Sequence, residues 1–335
     1  MFYYINSLIS LILTIIAILF GINQFNWIPG LIESFIVSIG LYLLFSGLVS
    51  WILSPGKADT ASNNVAIDRS NWPLSGPFRR LGKRAGSFLF TIIFSITNFL
   101  SFLNPFLLFQ IIRQSVANEK LKIREQQSDA DPGDYKNKAR YCLPFRGEWL
   151  VYNGGITPRS SHSWDLLGQR YAYDFVIADQ NYSSHSGRGT KLRDYYCYGE
   201  EILASAPGTI MEIENRISDA PFVGFGFSDF TARHFAGNYV VIKHAENEFG
   251  IYAHLINGSV CVRPGEQVAQ GQVIGKCGHS GNSTEPHLHF HLQDSPDFLS
   301  GMGLPIRFDR LKINQRETTE SFIQGGQFVE NISIS

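Results

Sequence analysis

Residues 286–292 read PHLHFHL, and the alternation in that heptapeptide decides the fold of the half of the chain around it. Successive side chains on a strand point to opposite faces. His287, His289 and His291 therefore share one face, and Leu288, Phe290 and Leu292 share the other. Such a strand backs a row of imidazoles with a core. NYVVIKH (238–244), GIYAHLI (250–256) and QVIGKCG (272–278) have the same short, alternating form, and glycines at 265, 271, 275, 278 and 281 fall between them at turn positions. From residue 142 onward the pattern predicts a mainly β domain built on antiparallel sheet, with few helical segments competing.

The rest of the chain is different in kind. All nine histidines lie between His162 and His291, whereas nearly all the long apolar runs lie before residue 113. One half answers to lipid and the other carries chemistry. A net charge of -1 over 335 residues gives no field that would draw the chain to nucleic acid, so no nucleic-acid partner is expected. Cys142, Cys197, Cys261 and Cys277 show no Cys-x-x-Cys spacing, which leaves disulfides and buried thiols equally open.

Residues 5–22, INSLISLILTIIAILFGI, carry no charge and are long enough to cross a bilayer as a helix. A second apolar run at 31–53 follows closely, with Trp27 and Trp51 where interfacial aromatics sit. A third, 86–112, is interrupted by Asn98, Asn104 and Pro105, so a re-entrant or interfacial helix is its alternative. Residues 1–112 are thus expected to be a helical membrane region with two or three spans. The loop at 54–85 holds Lys57, Arg69, Arg79, Arg80, Lys83 and Arg84 against Asp59 and Asp68, which keeps it cytoplasmic. Three spans then place everything after residue 113 outside a multi-pass bacterial cell membrane. Residues 113–141 are too polar to build a core and read as a linker, helical at first and broken by the DPGD turn at 131–134. Residues 142–335 form the β domain.

Three histidines at alternate positions are harder to explain as hydrogen-bonded core residues than one would be, and they suggest a metal site. His254, in YAHL (252–255), is expected to point away from Ala253 and Leu255. Together with VRPGEQVAQGQVIGKCGHSGNSTEPHLHFHL (262–292), YAHL resembles the lysostaphin-like, LytM-type zinc endopeptidases in both order and spacing. YGEEILASAPGTIMEI (198–213) is similar to the family's preceding strand, turn and strand, so the resemblance covers roughly 142–312. It implies a LytM-like sheet with a substrate groove, a Zn2+ cofactor and peptidoglycan peptides as substrate. It also implies His289 as a zinc ligand, His254 and His287 as the catalytic histidines, and Asp174 in RYAYDF as the ligand aspartate.

The sequence departs from the family at one ligand. The family's pattern is His-x-x-x-Asp, and four positions before Asp174 stands Arg170, which has no lone pair to offer a metal. His162 is the expected replacement, carried back toward Asp174 by a loop in which Gly154, Gly155 and Pro158 permit a turn. His185 is the alternative, with His234, His244 and His279 behind it; His291 should lie too far along its strand to share the metal of His289. With this set the chain reads as a membrane-anchored zinc metalloendopeptidase. The alternatives are a non-catalytic LytM-type module that activates another cell-wall hydrolase, and a membrane regulator cutting a protein substrate. The insertion SDAPFVGFGFSDFTARHFAG (218–237) is expected to pack on its own sheet, with an aromatic wall of the cleft or a membrane contact as other outcomes. The final segment from Gly303 reads as a hairpin.

Overall fold

Alternating apolar residues make thirteen short strands in a computed structural model that describes residues 15–16, 72–127 and 131–332. They are β1 (Trp149–Asn153), β2 (Tyr173–Val176), β3 (Glu201–Leu203), β4 (Gly208–Glu214), β5 (Asn238–Ala245), β6 (Glu248–Leu255) and β7 (Gln267–Val268). After these come β8 (Val273–Lys276), β9 (Leu288–Gln293), β10 (Gly303–Leu304), β11 (Phe308–Ile313), β12 (Arg316–Ser321) and β13 (Phe328–Asn331). Eleven form one antiparallel sheet in the order β12-β11-β13-β1-β2-β9-β6-β5-β4-β7, with β10 beside β9; β3 and β8 pair separately. The mainly β reading holds, and the closing hairpin is β11–β12 with β13 returning beside β11.

The strand quoted above lies at the centre. Asp174 and Ala253 oppose His289 from the two sides of β9. Leu288, Phe290 and Leu292 enter the larger core with Trp149, Tyr173, Phe175 and Tyr252. The histidine face of the sheet is not bare. Val241, Ile251 and Ala253 form a second core there with Leu107 and Ile111, which come from the N-terminal half.

That contact changes two expectations. The apolar stretch 86–112 is not one helix, because it divides into α1 (Lys83–Ser101) and α2 (Pro105–Glu125). Asn104 makes the break: its side chain accepts from the Phe106 and Leu107 amides, and Pro105 suits a first helical turn. Among the described residues α1 alone is long and apolar enough to cross a membrane. The runs at 5–22 and 31–53 lie outside the described residues apart from 15–16. Residues 113–125, read as linker, are the second half of α2, and their polar composition is that of its exposed side. Leu107, Ile111, Ala117 and Leu121 make its buried stripe. The Gln110 amide donates to the Arg233 carbonyl at 2.8 Å and its oxygen accepts from the Phe235 amide at 3.1 Å. The DPGD turn is present as expected, with Asp131 accepting from the Gly133 amide at 2.8 Å. Beyond it, the Tyr135 and Tyr141 hydroxyls each donate at 2.9 Å to the buried Glu248.

The insertion at 218–237 packs on its own sheet as expected, with Phe235 and Ala236 in the second core and the Ala236 carbonyl accepting from the His254 amide at 2.9 Å. It also grips the N-terminal segment. Phe225 meets Phe78 edge to face at 5.6 Å, the Ser228 amide donates to Thr97 Oγ1, and Asn104 donates to the Phe230 and Ala232 carbonyls. The backbones of Gly76 and Gly224 approach so closely that a Cβ on Gly76 would lie 2.0 Å from the Gly224 carbonyl oxygen. The four cysteines are all free.

Leu107 is 1% exposed, so cutting it to alanine leaves a cavity against the sheet. Leu107→Ala is expected to lower the unfolding free energy of the full chain by about 2–5 kcal/mol. A urea titration that finds no change would show α2 to be a dispensable linker.

Candidate metal centre

Asp174 is the anchor of the site. It sits on β2, flanked by β1 and β9, where Asn153 Nδ2 donates to its Oδ2 at 2.8 Å and His289 Nδ1 lies 3.0 Å from its Oδ1. His162 Nε2 is 3.4 Å from Oδ2, and His287 Nε2 is 3.6 Å from Oδ1. Burial by itself would raise this carboxyl. The charges of His162 and His287, with the hydrogen bond and charge of His289, more than offset it and hold Asp174 well below the usual carboxylate range.

The loop carrying His162 closes as the sequence suggested. Gly154 and Gly155 take φ of 129° and 141°, and the chain then doubles back over Tyr173. Ser161 Oγ donates to the Arg170 carbonyl at 2.7 Å and Ser163 Oγ to that of Gln169 at 2.6 Å, which ties both ends of the bulge together. Asn118 of α2 braces it from behind, donating to the Asp165 carbonyl and accepting from the Leu167 amide. Arg170 turns away, paired with Glu125 and lying 4.6 Å over the Trp164 ring.

His254 is placed by an unusual backbone. Its φ is 63°, in the left-handed region that a non-glycine residue seldom adopts. The simple alternation expected for YAHL fails for this reason. Ala253 packs into the second core while Leu255 packs into the first, and the left-handed residue between them turns its imidazole into the cleft. His254 Nδ1 lies 2.8 Å from the Ser280 carbonyl, and His287 Nδ1 lies 2.9 Å from the Glu285 carbonyl. A carbonyl only accepts, so both rings carry a proton on Nδ1, and in the neutral ring the lone pair is on Nε2. Burial, then the charges of His287 and His289, push His254 well below the ordinary histidine value.

Two donor groups result, His162–Asp174–His289 and His254–His287–His289, the ligand atoms in each lying within 4.8 Å of one another. The five residues singled out from the sequence thus converge. His185 does not join them; it is buried elsewhere and accepts from the Gly76 amide at 3.0 Å. His234, His244 and His279 are also held apart, each pushed by burial down to about 4. The sequence reading missed Asn153, and it missed the far wall of the cleft. Phe90, Phe94 and Asn98 of α1 face the histidines across a cleft of about 580 Å³. Only the aromatic run in α1 hinted at this, and it reads equally well as lipid-facing.

Residues 188–299 match the model for peptidase family M23. The chain carries an M23, LytM-type domain. The match includes His254, His287 and His289 but stops short of His162 and Asp174, the part where the sequence departs from the family pattern. The peptidoglycan DD-endopeptidase ShyA of Vibrio cholerae is 43% identical over 70 residues, which are 21% of this chain and 16% of that protein. The cell division protein DipM of Caulobacter vibrioides is 33% identical over 138 residues, 41% of this chain and 19% of that protein. The matched segments therefore span less than a fifth of either relative. The catalytic domain of the prophage-encoded M23 protein EnpA from Enterococcus faecalis is 18% identical over 51% of this chain and 90% of that one. Its TM-score of 0.27 is too low to add to the family match. The cofactor is zinc, and the residues fit it. Imidazole nitrogens and one buried carboxylate are the borderline-soft set that zinc takes.

A Cβ on Gly155 would stand 2.3 Å from Ser160 Oγ, at a φ that suits glycine. Gly155→Ala is expected to cost about 1–3 kcal/mol of stability and to loosen the His162 loop. Unchanged melting together with unchanged zinc content would show that this turn does not place His162.

Proposed function

We propose that the chain is a membrane-anchored zinc metalloendopeptidase that hydrolyses peptide bonds in peptidoglycan stem peptides or cross-bridges. The observation that carries this reading is the pair of donor groups meeting at His289, one holding the only carboxylate and the other two imidazoles with fixed tautomers. In it His162, Asp174 and His289 hold the metal, and His254 and His287 do the proton work. The wall peptide as substrate is carried over from the DD-endopeptidase relative, and the bilayer as partner rests on the long apolar runs at 5–22 and 31–53.

When bound, zinc supplies Lewis acidity to the scissile carbonyl. The chain's own residues do the rest. His254 and His287 present Nε2 lone pairs toward the same space, so they orient the attacking water and take up its proton. Once protonated, the same nitrogens donate to the oxyanion of the tetrahedral state and then to the leaving amine. The carbonyls of Ser280 and Glu285 keep both rings aimed throughout. The wall formed by α1 shields one side of the cleft from water and limits how a peptide enters.

A non-catalytic LytM-type module that activates another cell-wall hydrolase is the second reading, and one observation favours it: Arg170 stands where the family places a ligand. The approach of His162 to Asp174 weighs against it.

Substitutions in the purified full-length protein separate the roles. His162→Ala, Asp174→Ala and His289→Ala should each empty the site of zinc, whereas His185→Ala should keep both metal and activity. His254→Ala should keep its zinc while hydrolysis of wall peptides falls by about 10² or more. Full metal in the His162 variant would remove it from the ligand set, and a wild-type protein that binds zinc but cuts no peptide would favour the second reading.

We place the domain outside the cytoplasmic membrane, where its substrate is. Alkaline phosphatase fused to the C-terminus of the whole chain is expected to be active in bacteria. An inactive phosphatase with a fluorescent cytoplasmic reporter at the same point would put the domain inside and remove the wall as substrate.

A further inference from the structure

Behind His289 runs a line of hydrogen bonds that the proposed chemistry does not use directly. His289 Nε2 lies 3.1 Å from His291 Nδ1, and His291 Nε2 lies 3.0 Å from Gln293 Oε1. The Gln293 amide nitrogen donates to two backbone carbonyls, Ser295 at 2.7 Å and Asp297 at 2.8 Å. All three side chains come from alternate positions of β9, and His291 and Gln293 are 1% and 0% exposed. Gly301 lets the line pack tightly, since a Cβ there would be 2.7 Å from Gln293 Cδ.

We infer that His291 and Gln293 are positioning residues that keep the Nε2 proton of His289 engaged and leave its Nδ1, the nitrogen beside Asp174, as the one open to a metal. The directions follow from one end. The carbonyls of Ser295 and Asp297 can only accept, so the amide nitrogen of Gln293 must face them and its oxygen must face His291. An amide oxygen only accepts, so His291 carries its proton on Nε2 and its Nδ1 is an acceptor. His289 must then donate from Nε2, which leaves Nδ1 as the nitrogen open to a metal. That nitrogen is the one 3.0 Å from Asp174 Oδ1. Two main-chain carbonyls thus set, three side chains away, which nitrogen of His289 can bind a metal. The outward partner of a ligating histidine usually orients the ring and raises its basicity, and losing it typically weakens metal binding by about 10- to 100-fold. The inference rests on His289 being a ligand.

The test uses the full-length protein and zinc itself. In the zinc-loaded wild type labelled with 15N in histidine, His289 should be protonated at Nε2; protonation at Nδ1 would overturn the inference without any variant. Zinc affinity, measured by competition with a chromogenic chelator, should fall about 10- to 100-fold in His291→Leu and by a similar factor in Gln293→Leu. His291→Asn, which restores an acceptor near the place of Nδ1, should recover most of the lost affinity. Metal-free melting temperatures serve as the control, because a merely structural role would lower them in all three variants and would not be rescued by asparagine. If His291→Leu folds and binds zinc within twofold of wild type, the relay is refuted while the metal site stands. If the wild type binds no zinc, the metal-site reading itself fails.

Discussion

The pairing of β2 with β9 that sets Asp174 opposite His289 is the constraint on which the rest of the site depends. A register slip of one residue would move Asp174 to the other face of the sheet and exchange His289 for a core residue. The slip is prevented by the apolar side chains between the functional ones. Tyr173 and Phe175 on β2, with Leu288 and Phe290 on β9, are fully buried in the larger core. The hydrophobic pattern and the ligand pattern are therefore two readings of the same alternation. That is why so few residues suffice to place the cluster.

What this alternation cannot place has to come from loops and bends, and there the sequence was less legible. PHLHFHL announced its own strand, and Arg170 could be rejected from its chemistry alone. His162 was reachable because Gly154 and Gly155 permit a sharp return, although the serine ties that close the loop, Ser161 and Ser163, gave no signal in sequence. His254 came out as a cleft residue for the wrong local reason. Strict alternation was assumed for YAHL, whereas a left-handed residue breaks it. His291 was visible as the third member of the row and was set aside as too distant from the metal. Its contribution lies in hydrogen-bond direction, which needs coordinates.

The stretch from 86 to 125 was misread most, for a physical reason. A helix that must cover apolar sheet surface and a helix that must face lipid share the same composition, and α2 covers the sheet while α1 and α2 both keep large apolar side chains on their outer sides. Phe88, Phe106 and Phe109 are more than half exposed on their outer sides, while Leu107 and Ile111 are sealed against Val241 and Ile251. Gln110 was passed over inside an apolar run, and Asn118 looked like linker chemistry. They are donors and acceptors that fasten α2 to the backbone beneath it.

Asn118 also connects two scales of the molecule. It belongs to a helix that a boundary drawn at residue 142 would discard, yet it holds the loop on which His162 stands. The stretch that family comparison sees, 188–299, is accordingly smaller than the stretch that must be inherited together for the site to exist. The N-terminal half and the M23-type domain could not have been joined as two independent cassettes without re-fitting both. Any recombination that exchanged the N-terminal half for another would have to supply a new brace for the loop, a new lining for the cleft and a new cover for the sheet.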